Sequence, residues 1–194
     1  MILPIVAYGD PVLKKMGEEI DSDYPELDKL IENMFETMEA AHGVGLAAPQ
    51  IGKSIRLFVV DATPFAEDED LSEEEREQLS TFRKTFINPI ITEENGNEWG
   101  FEEGCLSIPN IREEVFRQPE IEIEYYDTEW NLLTERYSGI AARVIQHEYD
   151  HIEGVLFTDH LSALKKRFLK KKLTNISKGD TKVDYKMKFP LKKR

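Results

Sequence analysis

The stretch Gln146-His147-Glu148-Tyr149-Asp150-His151 holds two histidines four residues apart with Glu148 directly after the first. The residues before it, Ser138-Gly139-Ile140-Ala141-Ala142-Arg143-Val144-Ile145, read as the start of the helix that carries it. Ser138 is suited to cap that helix, and Gly154 to end it. Residues four apart lie one turn apart on one helix face, so His147 and His151 can present imidazole nitrogens to a single metal ion. Glu148 then sits close enough to handle a proton on a bound water without being a ligand itself. The competing reading is a pair of polar histidines on the surface of an acidic helix.

Working outward, the chain before this helix supplies a sheet and one core helix. Leu27, Leu30, Ile31, Met34, Phe35 and Met38 recur at spacings of three and four, which predicts a helix from near Pro25 to His42-Gly43 with one apolar face. Ile55 to Val60 is an apolar run expected as a buried strand, and Phe86 to Ile91 resumes strand character. Ile121, Ile123 and Tyr125 alternate with glutamates, which predicts a half-buried strand. Leu132 to Tyr137 pairs back on it across the turn at Asp127 to Asn131. Between these lies an acidic stretch, residues 62–84, expected to be a solvated insertion in which Ser72 caps a short helix to about Leu79. After the histidine helix, Ser162 caps a basic helix through about Lys172 with Leu164, Phe168 and Leu169 as its apolar stripe. Val183, Tyr185, Met187 and Phe189 then alternate as a terminal strand. The expected fold is therefore α+β. Small mixed or antiparallel sheets pack around a central metal-binding helix, flanked by an N-terminal core helix, a C-terminal basic helix and a terminal strand.

The 194 residues, 22.5 kDa, suit one domain with its own core. We expect a catalytic domain over residues 1–164 and a basic extension over 165–194, packed on it or trailing from it. The net charge of −13 divides unevenly: the first 164 residues carry −24 and the remainder +11. Apolar runs fall short of the roughly 18 residues that a membrane helix needs. The segment Ile2 to Ala7 is too short and lacks the basic flank for a secretory signal. The single cysteine, Cys105, excludes an intramolecular disulfide. These features predict a cytoplasmic protein with no membrane partner and no DNA partner.

A catalytic site of this type needs a third protein ligand and an open position. Phe157 stands where a metzincin would place its third histidine, and no glutamate follows Glu153 to serve as a thermolysin-like ligand. The remaining candidates are His160, Asp159, Asp180 and Asp184 downstream, with His42 and Cys105 upstream. A thiolate is a strong ligand for a borderline-soft ion, so Cys105, in a loop beside a glycine, is preferred and His160 comes second. The segment Gly43-Val44-Gly45-Leu46-Ala47-Ala48-Pro49-Gln50 contains Gly-x-Gly-x-x-Ala. It follows a helix and precedes a strand, the reverse of the dinucleotide-binding order, so that reading fails. It remains a run of small residues allowing close backbone approach, ending in the neutral amide of Gln50.

Three segments together, Gly43 to Gln50, Glu103-Gly104-Cys105-Leu106-Ser107 and Gln146 to His151, resemble in order and spacing the signature motifs of peptide deformylases. The resemblance runs over residues 3–164, and the Cys-Leu-Ser form is similar to the bacterial type 1 group. It implies hydrolysis of the N-formyl group from the initiator methionine of nascent chains, with release of formate. It also implies one ion per chain, Fe²⁺ with Zn²⁺ or Ni²⁺ able to occupy the site, held by Cys105, His147 and His151. Glu148 would be the proton carrier, with Gln50 and the backbone N–H of Leu106 stabilising the oxyanion. Val44, Gly45, Phe101, Gly104, Leu106, Ile140 and Val144 are the candidate walls of the substrate pocket. Arg112 and Arg143 are candidates to contact substrate backbone or shape the pocket. The basic tail is expected to face ribosomal RNA near the peptide exit. Another metal-dependent amidase or peptidase built on the same helix motif is the alternative.

Overall fold

The computed structural model describes residues 1–191. In chain order the strands are β1 (Ile5–Val6), β2 (Gly45–Ala47), β3 (Leu57–Asp61), β4 (Arg83–Asn95), β5 (Trp99–Cys105), β6 (Ile108–Arg117), β7 (Glu120–Tyr126), β8 (Leu132–Ser138) and β9 (Met187–Lys188). The helices are α1 (Leu27–Ala40), α2 (Glu73–Leu79), α3 (Gly139–Ile152) and α4 (Ala163–Lys178). Short 3-10 turns cover Pro11–Lys14, Ala48–Ile51, Thr63–Glu67 and Phe157–His160. The α+β expectation holds.

A five-stranded antiparallel sheet in the order β2-β3-β4-β7-β8 forms the centre. Successive residues of a strand face opposite sides, and β3 shows why its apolar run is unbroken. Phe58 and Val60 pack with Ile145 and Ile152 of α3, while Leu57 and Val59 pack with Leu30, Met34 and Met38 of α1. Both faces are covered, so both sets of side chains are apolar. α3 is thus an interior helix. His147 is 9% exposed and His151 1%, which removes the surface-histidine reading.

The β5–β6 hairpin stands apart as its own two-stranded sheet. It packs through Ile108, Ile111 and Val115 on Leu156, Phe157, Leu161 and the buried face of α4. Cys105, expected in a loop, is the last residue of β5. The pairing register shifts between Gly104 and Cys105, and a tight turn at Leu106-Ser107 follows. Bulges of this kind re-aim a side chain at a strand end. The strand β6 was not anticipated from its charged, irregular pattern.

Helix boundaries moved by a few residues. α1 begins at Leu27 after Glu26 in left-handed conformation, rather than at Pro25. Ser138 occupies the N-cap position of α3, yet its side chain makes no capping bond. Gly154 ends α3 as expected, at φ +74°, and a Cβ there would stand 2.8 Å from the carbonyl oxygen of Lys14. Only glycine satisfies both conditions. α2 matches its expectation: Ser72 accepts from the Glu75 N–H and Glu75 reaches back to the Ser72 N–H.

The tail required the largest correction. α4 runs six residues beyond Lys172, to Lys178. Leu164 and Phe168, expected in its apolar stripe, are exposed; the buried residues are Leu169, Leu173, Ile176 and Ser177. Three buried aliphatic side chains contribute about 1.5–3 kcal/mol each, enough to hold this lysine-rich helix on the body. Gly179 closes it, and the terminal strand shortens to β9, which pairs in parallel with β1. The last three residues of the expected extension, 192–194, lie outside the described residues.

Candidate metal centre

α3 and the β5–β6 turn bring the three expected ligands together. One ligand atom from each of Cys105, His147 and His151 lies within 4.8 Å of the others. Cys105 Sγ is 3.3 Å from His151 Nε2. Donors held 2.0–2.3 Å from one ion in tetrahedral geometry stand roughly 3.5 Å apart, so the spacing fits a single small cation. His160 is not part of this group; its Nε2 lies 2.7 Å from Asp150 Oδ2. Asp159 is likewise engaged, accepting the backbone N–H of Leu156 at 2.8 Å.

The electrostatics fit a cation as well. Burial would raise the Cys105 thiol, but the His151 charge and bonds to His147 and His151 outweigh it and bring its pKa to about 5. Burial alone would lower His147, yet bonds to Cys105 and Glu103 raise it well above the ordinary imidazole value. The site thus favours thiolate at Cys105 beside positive charge, the polarity that a divalent cation would supply. Glu148 is pushed up to about 7 by burial, against the pull of the His147 and His151 charges. Its Oε2 is buried without a hydrogen-bond partner among the described residues.

A small-residue loop makes room for that carboxylate. A Cβ on Gly45 would lie 2.7 Å from Glu148 Cδ, closer than two carbons tolerate. Gln50, at the end of the same loop, is oriented by it. Its Oε1 accepts the Ala47 N–H at 2.8 Å, so its Nε2 faces Ser107 Oγ at 3.4 Å and Cys105 Sγ at 3.5 Å.

His147 is fixed from behind by a partner that the motif reading left without a role. Its Nδ1 lies 2.9 Å from Glu103 Oε2. Glu103 is clamped by Arg117 through Nε at 2.7 Å and Nη2 at 3.0 Å, and by Arg143 Nη1 at 3.0 Å. Arg117 also binds Asp150 Oδ2 at 2.8 Å. The sequence carries only part of this signal, an acid two residues before the only cysteine; its burial against two arginines is visible in the fold alone.

Gln50, Glu103, Cys105, His147 and Glu148 line a cleft of about 830 Å³. Val44, Gly45, Phe101, Gly104, Leu106, Arg112, Arg143 and Val144 all line it, as expected. Ile140 does not. It sits in the core between α3 and the sheet, because the first turn of α3 faces β7 and β8 rather than the opening. Arg143 lines the cleft, but its guanidinium is spent on Glu103, the Val115 carbonyl at 3.0 Å and the Trp99 carbonyl at 2.7 Å. Arg112 donates to the Glu102 carbonyl at 2.7 Å from an exposed position. Phe65 from the acidic insertion, Ile108 and Ile111 of β6, and Lys182 to Tyr185 of the tail also line the cleft and were not anticipated.

A buried helical His-Glu-x-x-His pair, joined by a hairpin thiol beneath an open cleft, defines a metal-dependent hydrolase. Within that class the comparisons are specific. The polypeptide deformylase family model matches residues 2–167, and the chain belongs to that family. It is 64% identical over 194 residues to the peptide deformylase of Christiangramia forsetii, covering 100% of this chain and 99% of that one. The peptide deformylase of Flavobacterium psychrophilum is 61% identical over 194 residues, all of both chains. The solved structure of a peptide deformylase from Legionella pneumophila superposes with a TM-score of 0.78 at 34% identity, covering 93% of this chain and 98% of that chain.

Proposed function

We propose that the cleft hydrolyses the formyl amide of N-terminal formyl-methionine on nascent polypeptides, releasing formate, with one divalent ion held by Cys105, His147 and His151. Family membership supports the reaction. The observation that carries the site assignment is the buried, unpartnered Glu148 carboxylate beside three converging donors. Thiolate and imidazole donors suit Fe²⁺, Zn²⁺ and Ni²⁺ alike, and the resemblance to the family is what points to Fe²⁺ among them. When bound, such an ion supplies a Lewis acid able to lower the pKa of a water molecule to about 7.

The chain's own groups account for the rest. Glu148 takes a proton from the attacking water as its oxygen adds to the formyl carbon, then passes it to the amine nitrogen as the C–N bond breaks. Gln50 Nε2, whose orientation is set by the Ala47 N–H, donates to the oxygen that becomes negative. The Leu106 N–H, beside Cys105 in the turn, is the second donor. Val44, Phe101, Leu106 and Val144 form the apolar side of the cleft for the methionine side chain.

Residues 1–164 form the catalytic domain in this reading, with the rest packed on it. A cytoplasmic location and contact of the basic α4 surface with ribosomal RNA complete the proposal. No helix among the described residues is long and apolar enough to cross a membrane. The test is formate release, with anaerobic metal analysis, from a formyl-Met peptide against its acetylated counterpart. Equal cleavage of both would favour a broader amidase instead.

A further inference from the structure

The segment Lys182 to Tyr185 lies beyond residues 2–167, where the family match ends, yet it lines the same cleft as Cys105, Glu148 and Gln50. It is tied in place at several points. Tyr185 Oη donates to the Leu106 carbonyl at 2.8 Å, joining the tail to the turn that carries Cys105. Asn110 Nδ2 donates to Thr181 Oγ1 at 3.2 Å and to the Lys182 carbonyl at 3.0 Å. Ile5 and Ala7 donate backbone N–H groups to Lys186 and Lys188 at 2.9 Å, pinning the following residues to β1. Val183 and Tyr185 are half-buried, whereas Lys182 and Asp184 are exposed at the edge of the cleft. A charged pair on a fixed wall of a binding cleft acts on whatever chain lies along it.

We infer that this tail segment is a substrate-reading wall: Lys182 and Asp184 set preference among peptide residues that follow the formyl-methionine, and Tyr185 is the positioning residue that anchors the wall. The inference rests on the deformylase reading of the same cleft. Opposite charges on wall and peptide attract, and the effect at an exposed rim is modest and screened by salt. It therefore appears as selectivity and leaves cleavage of a minimal substrate unchanged.

The experiment compares kcat/KM for formyl-Met-amide and for formyl-Met tripeptides bearing Asp or Lys as third residue, in the unaltered full chain, Lys182→Glu and Tyr185→Phe. Lys182→Glu is expected to leave formyl-Met-amide unaffected and to shift the Lys-over-Asp ratio upward by roughly two- to fivefold, a shift that collapses in high salt. Tyr185→Phe removes one buried-edge hydrogen bond. It should erode the advantage of tripeptides over formyl-Met-amide by about fivefold, through KM, with metal content and far-UV circular dichroism unchanged. An unaltered Lys/Asp ratio in Lys182→Glu overturns the reading wall. An unaltered tripeptide advantage in Tyr185→Phe overturns the anchor. Both results are read against an unaltered chain that cleaves formylated substrates; one that cleaves none sinks the deformylase reading, and this inference with it.

Discussion

His147 Nδ1 stands 2.9 Å from Glu103 Oε2, one of several contacts that couple the hairpin to the helix carrying both histidines. A carboxylate at Nδ1 holds the proton there and leaves the other ring nitrogen its lone pair, as a metal ligand requires. Two arginines on the same carboxylate make the arrangement rigid.

Glu103→Ala leaves Arg117 and Arg143 as buried charges without their shared partner. Breaking one side of such a pair costs about 3–5 kcal/mol, so a denaturant melt should show a large loss of stability. Metal affinity should fall roughly 10- to 100-fold through lost orientation of His147, measured by competition with a chelator. Full affinity would show that His147 needs no support from behind.

Glu148→Ala is expected to keep its metal and lose turnover by about 10²- to 10⁴-fold, as for loss of a general acid–base group. Near-wild-type formate release from this variant would remove Glu148 from the mechanism.

Gly45→Ala places a methyl group where Glu148 Cδ lies 2.7 Å away. The carboxylate must move, and a shift of about 1 Å at a reacting group costs on the order of 100-fold in rate. kcat should fall while the metal stays bound. Unchanged kcat would mean that the carboxylate has more freedom than its packing indicates.

Cys105→Ser exchanges a thiolate for a hydroxyl that stays protonated at neutral pH. Metal content should drop and the thiolate-to-metal absorption of a Co²⁺-loaded sample should vanish. Identical spectra before and after would exclude the sulfur as ligand. The unaltered chain loaded with Fe²⁺ should lose activity in air.

Burial alone would raise the Glu103 carboxyl, but bonds from His147 and Arg117 hold it well below the usual range; Asp150 is lowered likewise by His160 and Arg117 despite burial. A depressed folded pKa stabilises at pH above the unfolded value of about 4, and that contribution is lost as pH falls toward the folded value. The contribution of these two carboxylates should therefore be level from pH 7 to about 5 and decline below about 4. In Glu103→Gln the decline should be shallower. An equal slope would assign acid unfolding to other carboxylates.

α3, α1, β3 and the β7–β8 hairpin are legible because each shows a clear apolar period or an unbroken apolar run, with a turn or cap at its ends. Strand β6 was not: its register is set by pairing with β5, and local composition carries no record of a distant partner. The face of α4 was misread for a related reason. Leu164 and Leu169 are equally apolar, and which of them is buried depends on where Ile111 and Val115 stand beneath the helix.

By itself, the sequence singled out the side chains proposed for the chemistry. A His-Glu-x-x-His helix, one cysteine and one small-residue loop point to the proposed ligands, proton carrier and oxyanion donor, since those roles demand particular side chains at particular spacings. Tertiary structure alone decided what surrounds them. It buried α3, aimed Cys105 with a bulge, put Glu103 behind His147, withdrew Ile140 into the core and laid the tail along the cleft. Each of these depends on which surfaces meet across the fold, and contacts between residues far apart in the chain leave no period for a sequence to display.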